Sequence, residues 1–121
     1  MIHKTTATGI GVGADGSATF TTTTEHIRGK ILSIDVLYEA SVPAATTDVV
    51  ISDGQGSNEA ILTLTDKVAD GRFYPRTTVD DVVGVAIAST VEYHYVDGPL
   101  TIVVSQADTG DVVSFVIFWE D

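Results

Sequence analysis

Cysteine is absent from the 121 residues, so neither a disulfide nor a thiolate-held zinc ion can brace the fold. Basic side chains are scarce: six stand against 17 acids, a formal charge of −11. Lys4, Arg28, Lys30, Lys67, Arg72 and Arg76 form no run, whereas nucleic-acid phosphates and anionic membranes are bound by clustered positive charge. Neither nucleic acid nor a membrane surface is an expected partner. The acids are dispersed too, with Asp80-Asp81 and Glu120-Asp121 the two adjacent pairs, which reads as a solvated, self-repelling surface. Long apolar runs are also missing. The longest, Val82–Ala88 and Val112–Trp119, are far too short to span a bilayer. The opening Met-Ile-His-Lys-Thr-Thr has no apolar stretch of the signal-peptide kind, so synthesis in the cytoplasm is expected. No segment carries a convincing set of apolar residues at i, i+3, i+4 and i+7, so a helical fold is not expected either.

What the chain has in excess is β-branched residues: 44 of the 121 are Val, Ile or Thr. These side chains lose freedom in a helix and pack well on a pleated sheet. Period-two alternation recurs. Leu32, Ile34, Val36 and Tyr38 alternate with polar neighbours, as do Leu62 and Leu64, and Leu100, Ile102 and Val104. Asp48–Ser52 is a short buried-type run, and Ser17–Thr24 alternates weakly. Asp15-Gly16, Asp53-Gly54, Asp70-Gly71, Asp97-Gly98 and Thr109-Gly110-Asp111 separate these runs with residues that tolerate tight turns. Ala40–Thr47 and Val79–Ser89 each have room for one helical turn but read better as loop or irregular strand. The expected fold is all-β, an antiparallel β-sandwich or jelly roll of about eight short strands with a flexible N-terminal arm. Residues 1–16, rich in Gly and Thr with little to bury, are read as that arm or as an edge hairpin, and 17–121 as one sandwich domain. The last strand differs from the others. Val113, Phe115, Ile117 and Trp119 lie on one face and Val112, Val116 and Phe118 on the other, so it is either central to a sandwich or covered by another subunit.

Residues that carry chemistry are sparse. Gly11-Val-Gly-Ala-Asp-Gly16 matches G-x-G-x-x-G, but a strand-forming Ser-Ala-Thr-Phe-Thr run follows where a dinucleotide site needs a helix. Asp53, Gln55, Ser57 and Glu59 invite a calcium reading. The EF-hand pattern fails, because Asn58 and Leu64 stand where it requires Gly and Glu. His3, His26 and His94 are isolated, and His94 lies opposite Tyr93 and Tyr95 by alternation, facing solvent or capping a turn. No Gly-x-Ser-x-Gly elbow is present. Phe73-Tyr74, Tyr93, Tyr95 and Trp119 offer the aromatics of a sugar platform, or ordinary packing. No catalytic, cofactor or metal residue is assigned, and an enzyme is not expected.

Three stretches are distinctive together: Val49-Val-Ile-Ser-Asp-Gly-Gln-Gly56, Ala60-Ile-Leu-Thr-Leu-Thr-Asp66 and Gly71-Arg-Phe-Tyr-Pro-Arg76. With Val96-Asp-Gly-Pro-Leu-Thr-Ile-Val-Val-Ser-Gln-Ala107 and the last hydrophobic strand, they resemble small structural proteins of tailed bacteriophages, in particular head decoration (cement) proteins. The likeness runs over residues 27 to 119. It implies a non-enzymatic virion protein on the capsid exterior whose partners are the major capsid protein and its own copies, commonly as a homotrimer. It also implies contact roles for Ile2, Ile10 and Val12 in the N-terminal segment, and for Val112, Val116 and Phe118 on the outer face of the last strand. A carbohydrate- or receptor-binding module and a tail-associated accessory protein are the alternatives.

Overall fold

The alternating runs become strands because each can bury one face against a shared core. The structure, a computed structural model, describes residues 1–39, 43–54 and 58–121. Among these residues there are eleven strands and no helix. They are β1 (Ile2–Ile10), β2 (Ala18–Thr23), β3 (Ile27–Tyr38), β4 (Asp48–Asp53), β5 (Ala60–Leu64), β6 (Gly71–Phe73), β7 (Arg76–Asp80), β8 (Ala86–Tyr93), β9 (Tyr95–Gly98), β10 (Leu100–Ala107) and β11 (Val112–Glu120). One sheet has the order β1-β11-β3-β6, with β9 pairing the other half of the long β3. The second has the order β2-β10-β4-β5. Counting β6 and β9 as one interrupted lane gives eight positions, in which the chain winds back and forth between two four-lane sheets. That is the strand order of a jelly roll. The excess over eight strands comes from that interrupted lane, into which a separate ribbon of β7 and β8 is inserted.

Between the sheets lies one core. Phe115, Ile117, Ile27, Ile31, Ile34 and Val36 line it from the first sheet, and Val49, Ile51, Leu100, Ile102 and Val104 from the second. The inward alternation of Leu100, Ile102 and Val104 holds along β10. In β3 it changes phase. Ile27 and Ile31 are buried at odd positions and Ile34 and Val36 at even ones, because an extra residue at Leu32 breaks the register against β11. Ser33 is buried as a result, where alternation alone would put it outside.

Residues 2–10 are not an arm set apart from the sandwich. β1 is an edge strand, paired with β11 from Ile2 opposite Glu120 to Ile10 opposite Val112. Its inner side explains why. Thr5 is buried and accepts a hydrogen bond from Trp119 Nε1 at 3.0 Å, while its hydroxyl donates to Glu25 Oε1 at 3.2 Å. Gly9 lets the Phe20 ring lie against its backbone, where any Cβ would collide with the ring. Small residues that look as if they have little to bury are what this close sheet edge requires. Beyond β1, residues 11–17 turn toward β2, and Val12 bridges Thr19.

Ala44–Thr47 forms a turn closed on the Ala44 carbonyl by the Thr47 amide and hydroxyl; residues 40–42 of that stretch lie outside the described residues. At Gly29, next to the end of β11, a Cβ would fall on the Glu120 carbonyl oxygen. That oxygen belongs to backbone and cannot swing aside. Gly29→Ala is therefore expected to lower the unfolding free energy by about 2–3 kcal/mol, read by urea denaturation. An unchanged midpoint would show that the approach relaxes freely.

Candidate functional site

β7 and β8 form a two-stranded ribbon with every residue of β8 exposed. Arg76 pairs with Tyr93, Thr77 with Glu92 and Thr78 with Val91, after which the register slips to Asp80 opposite Ala86. Ile87–Thr90 therefore face the single residue Val79, and Ser89 absorbs the bulge in a left-handed conformation (φ 61°). The tip is locally organised. Asp81 Oδ1 accepts the amides of Val83 and Val85 at 2.9 and 3.0 Å, its own amide donates to the Val85 carbonyl, and Gly84 takes a φ of 83°. This arrangement holds Val82, 103% exposed, and Val83, 77% exposed, at the end of the ribbon. Val85, Ile87 and Val91 continue the apolar surface along β8.

The base is rooted in the sandwich. The Arg76 guanidinium lies 4.0 Å from the Tyr93 ring centroid, and its Nη1 donates to the Leu32 carbonyl at 3.2 Å, at the β3 bulge. Lys30 approaches the same ring at 5.6 Å, and Thr77 donates to Glu59 Oε1 at 3.2 Å. A ribbon anchored at one end with its apolar end in water is a candidate contact element. Isolated two-stranded hairpins are marginal, and a large exposed apolar patch marks an interaction site more often than chance would.

The outer face of the first sheet collects five of the six residues singled out from the sequence. Ile2 and Ile10 are exposed on β1, and Val112, Val116 and Phe118 are half-buried on β11 between the inward Val113, Phe115 and Ile117. Val12 does not join them, since it lies past the strand in the bridge to Thr19. β11 is central, flanked by β1 and β3, so its apolar outer residues are partly covered by neighbours on both sides. This face is mixed in character. Lys4 lies opposite Phe118 and Thr6 opposite Val116. Arg72 packs 5.2 Å from the Phe118 ring centroid and grips Asp35 with two hydrogen bonds, at 2.6 and 2.9 Å.

The remaining candidates are placed as follows. Gly11–Gly16 leads into a turn and then strand β2; Asp15 and Asp108 bond across it to the amides of Thr109 and Gly16, and no helix follows to receive a pyrophosphate. Of the acidic loop, Gln55 and Ser57 lie outside the described residues, and Glu59 accepts the Thr77 hydroxyl. Among the described residues no three His, Asp or Glu side chains converge as metal ligands, and no cavity is present. His26 meets Asp97 at 2.7 Å. His3 stacks on Trp119 and reaches Asp121 at 3.1 Å. The hydrogen bond to His3, followed by that to the chain's first ammonium, holds the Asp121 carboxyl below the ordinary range. His94 is buried while Tyr93 and Tyr95 are exposed, so the alternation is as expected but the histidine, not the tyrosines, faces inward. Phe73 packs on the core, Trp119 is bonded to Thr5, and Arg76 covers a face of Tyr93, which leaves Tyr74 and Tyr95 as the most open aromatics. A scan against protein-family models and curated proteins finds no match to the sequence.

Asp35 also titrates below its ordinary value of 3.8, chiefly because Arg72 donates hydrogen bonds to it; burial opposes the shift, and the charge of Arg72 adds a lesser lowering effect. A depressed carboxyl stabilises the folded state in full above its unfolded value and loses that contribution as the pH falls below 3.8 through the lower folded value. Both partners are partly exposed, so the effect is modest. Arg72→Ala should make the decline in unfolding free energy between neutral and strongly acid pH shallower. An identical acid limb in the variant would show that the pair contributes nothing.

Proposed function

We propose that this chain is a structural virion protein that binds the outer surface of a bacteriophage capsid and stabilises it without catalysis. The observation that carries the reading is where the apolar surface lies: the jelly roll holds a large apolar element outside its core, on a rooted and organised ribbon. Such a layout suits a protein whose work is attachment. The resemblance of residues 27–119 to head decoration proteins supplies the partner, the major capsid protein, and the expectation of a homotrimer. Jelly rolls serve in capsids and in lectins alike, so the fold agrees with the reading by analogy alone.

Two surfaces are available for these contacts: the β7–β8 ribbon and the outer face that carries Ile2, Ile10, Val112, Val116 and Phe118. β1 leaves one edge of its sheet unpaired among the described residues, and an edge strand can add a partner strand. Cementing is then mass action. A protein that binds only the assembled lattice stabilises it by its binding free energy, and several contacts per oligomer multiply the effect through avidity. The charge of −11 keeps a densely displayed module soluble between its contacts.

Mass spectrometry of density-banded virions from a culture that expresses the chain is expected to find it at a fixed ratio to the major capsid protein. Particles stripped of it should lose their contents at a lower temperature and recover when it is added back. Intact virions that lack the chain would overturn the reading.

A further inference from the structure

We infer that the β7–β8 ribbon joins this chain to a second copy of itself, ribbon against ribbon. Three observations meet there. The first is area. Val82, Val83, Val85, Ile87, Val91 and Tyr93, with Tyr74 and Tyr95 just outside the base, expose on the order of 800 Å², about one partner's share of a standard specific interface. The second is backbone. Among the described residues nothing pairs the outer edge of β8, which leaves amides and carbonyls for another strand.

The third is charge, and it selects the occupant. From Val82 to Val91 the chain has no ionisable side chain, in a protein whose formal charge is −11. Two copies meeting through their sandwich bodies would bring together surfaces that hold most of the 17 acids. The outer face of the first sheet is charged as well, in pairs: Arg72 holds Asp35 and Lys30 meets Glu120, with Lys4 and Glu39 beside them, so a contact there would have to bury ion pairs. Ribbon to ribbon, the neutral segments touch while Asp80, Asp81 and Glu92 stay at the margins. An eight-residue β8 reaches about 25 Å, and the bodies it separates repel weakly beyond a screening length of about 8 Å. A basic partner of another kind would be matched to the acids rather than to the long neutral stretch between them.

The inference deepens the self-association within the proposed function and rests on that part of it alone. Its test uses the purified chain without capsids, so failure here leaves the virion reading standing. Sedimentation velocity across the micromolar range should give a mass of two or more copies, and association should strengthen as salt is raised, because screening relieves repulsion between like-charged bodies. Val82→Asp with Val91→Asp, both at exposed positions, should weaken association on the order of 100-fold, whereas Thr21→Asp at an exposed position of β2 in the second sheet should leave it unchanged. Hydrogen exchange on the unaltered chain gives an independent readout: amides of residues 82–91 should gain protection as concentration rises. A monomer at every concentration, an assembly untouched by the paired substitution, or exchange independent of concentration would each overturn the inference.

Discussion

The architecture depends on giving β11 a partner along both edges. Its nine residues lie between β1 and β3, so its backbone donors and acceptors are satisfied on either side and its inward residues reach the middle of the core. Phe115 is fully buried there, between lanes that carry Ala7 on one side and Val36 on the other. The rest follows from this arrangement. β1 must lie at the edge, the Thr5–Trp119 bond must tie that edge down, and β3 must bulge at Leu32 to serve β11, β9 and β6 along one strand.

Much of this was legible in period-two patterns, since burial on one face imposes that period wherever the register is regular. Val49, Ile51, Leu100, Ile102 and Val104 all face inward as alternation requires. The pattern fails where one extra residue changes the phase. Ser33 ends up inside, and the Leu32 carbonyl accepts a hydrogen bond from Arg76 Nη1. A bulge is set by the partner strand, so a single run of sequence holds no record of it. The doubly apolar β11 is likewise ambiguous by composition, because a central strand and a strand covered by a neighbour make the same demand on side chains. Residues 1–16 misled for the opposite reason: Thr and Gly look unable to bury anything until an aromatic ring is brought against them.

The apolar ribbon was the least legible element. Val82–Ala88 has the composition of a core strand, and only the topology shows that its lane is already taken by β6 and β9. What distinguishes it is the short-range chemistry around it. Asp81 closes the tip through amides two and four residues on, and Arg76 fixes the base against Tyr93 and the β3 bulge. Most of the acids are thus carried by the sandwich, while the ribbon presents a neutral apolar stretch from Val82 to Val91 between Asp81 and Glu92.

The central place of β11 also sets the order of events during synthesis. Its lane separates β1 from β3, and its residues are the last of the eleven strands to be made. Until they emerge, β1 has no partner in its sheet and β3 is paired along one edge alone, by β9 and β6, so the first sheet cannot close on the growing chain. The fold is completed by contacts between residues more than a hundred positions apart, which are slow to find each other. A nascent or truncated product that ends before Val112 keeps two open strand edges beside a half-built core, and chaperone capture or aggregation competes with folding during that interval.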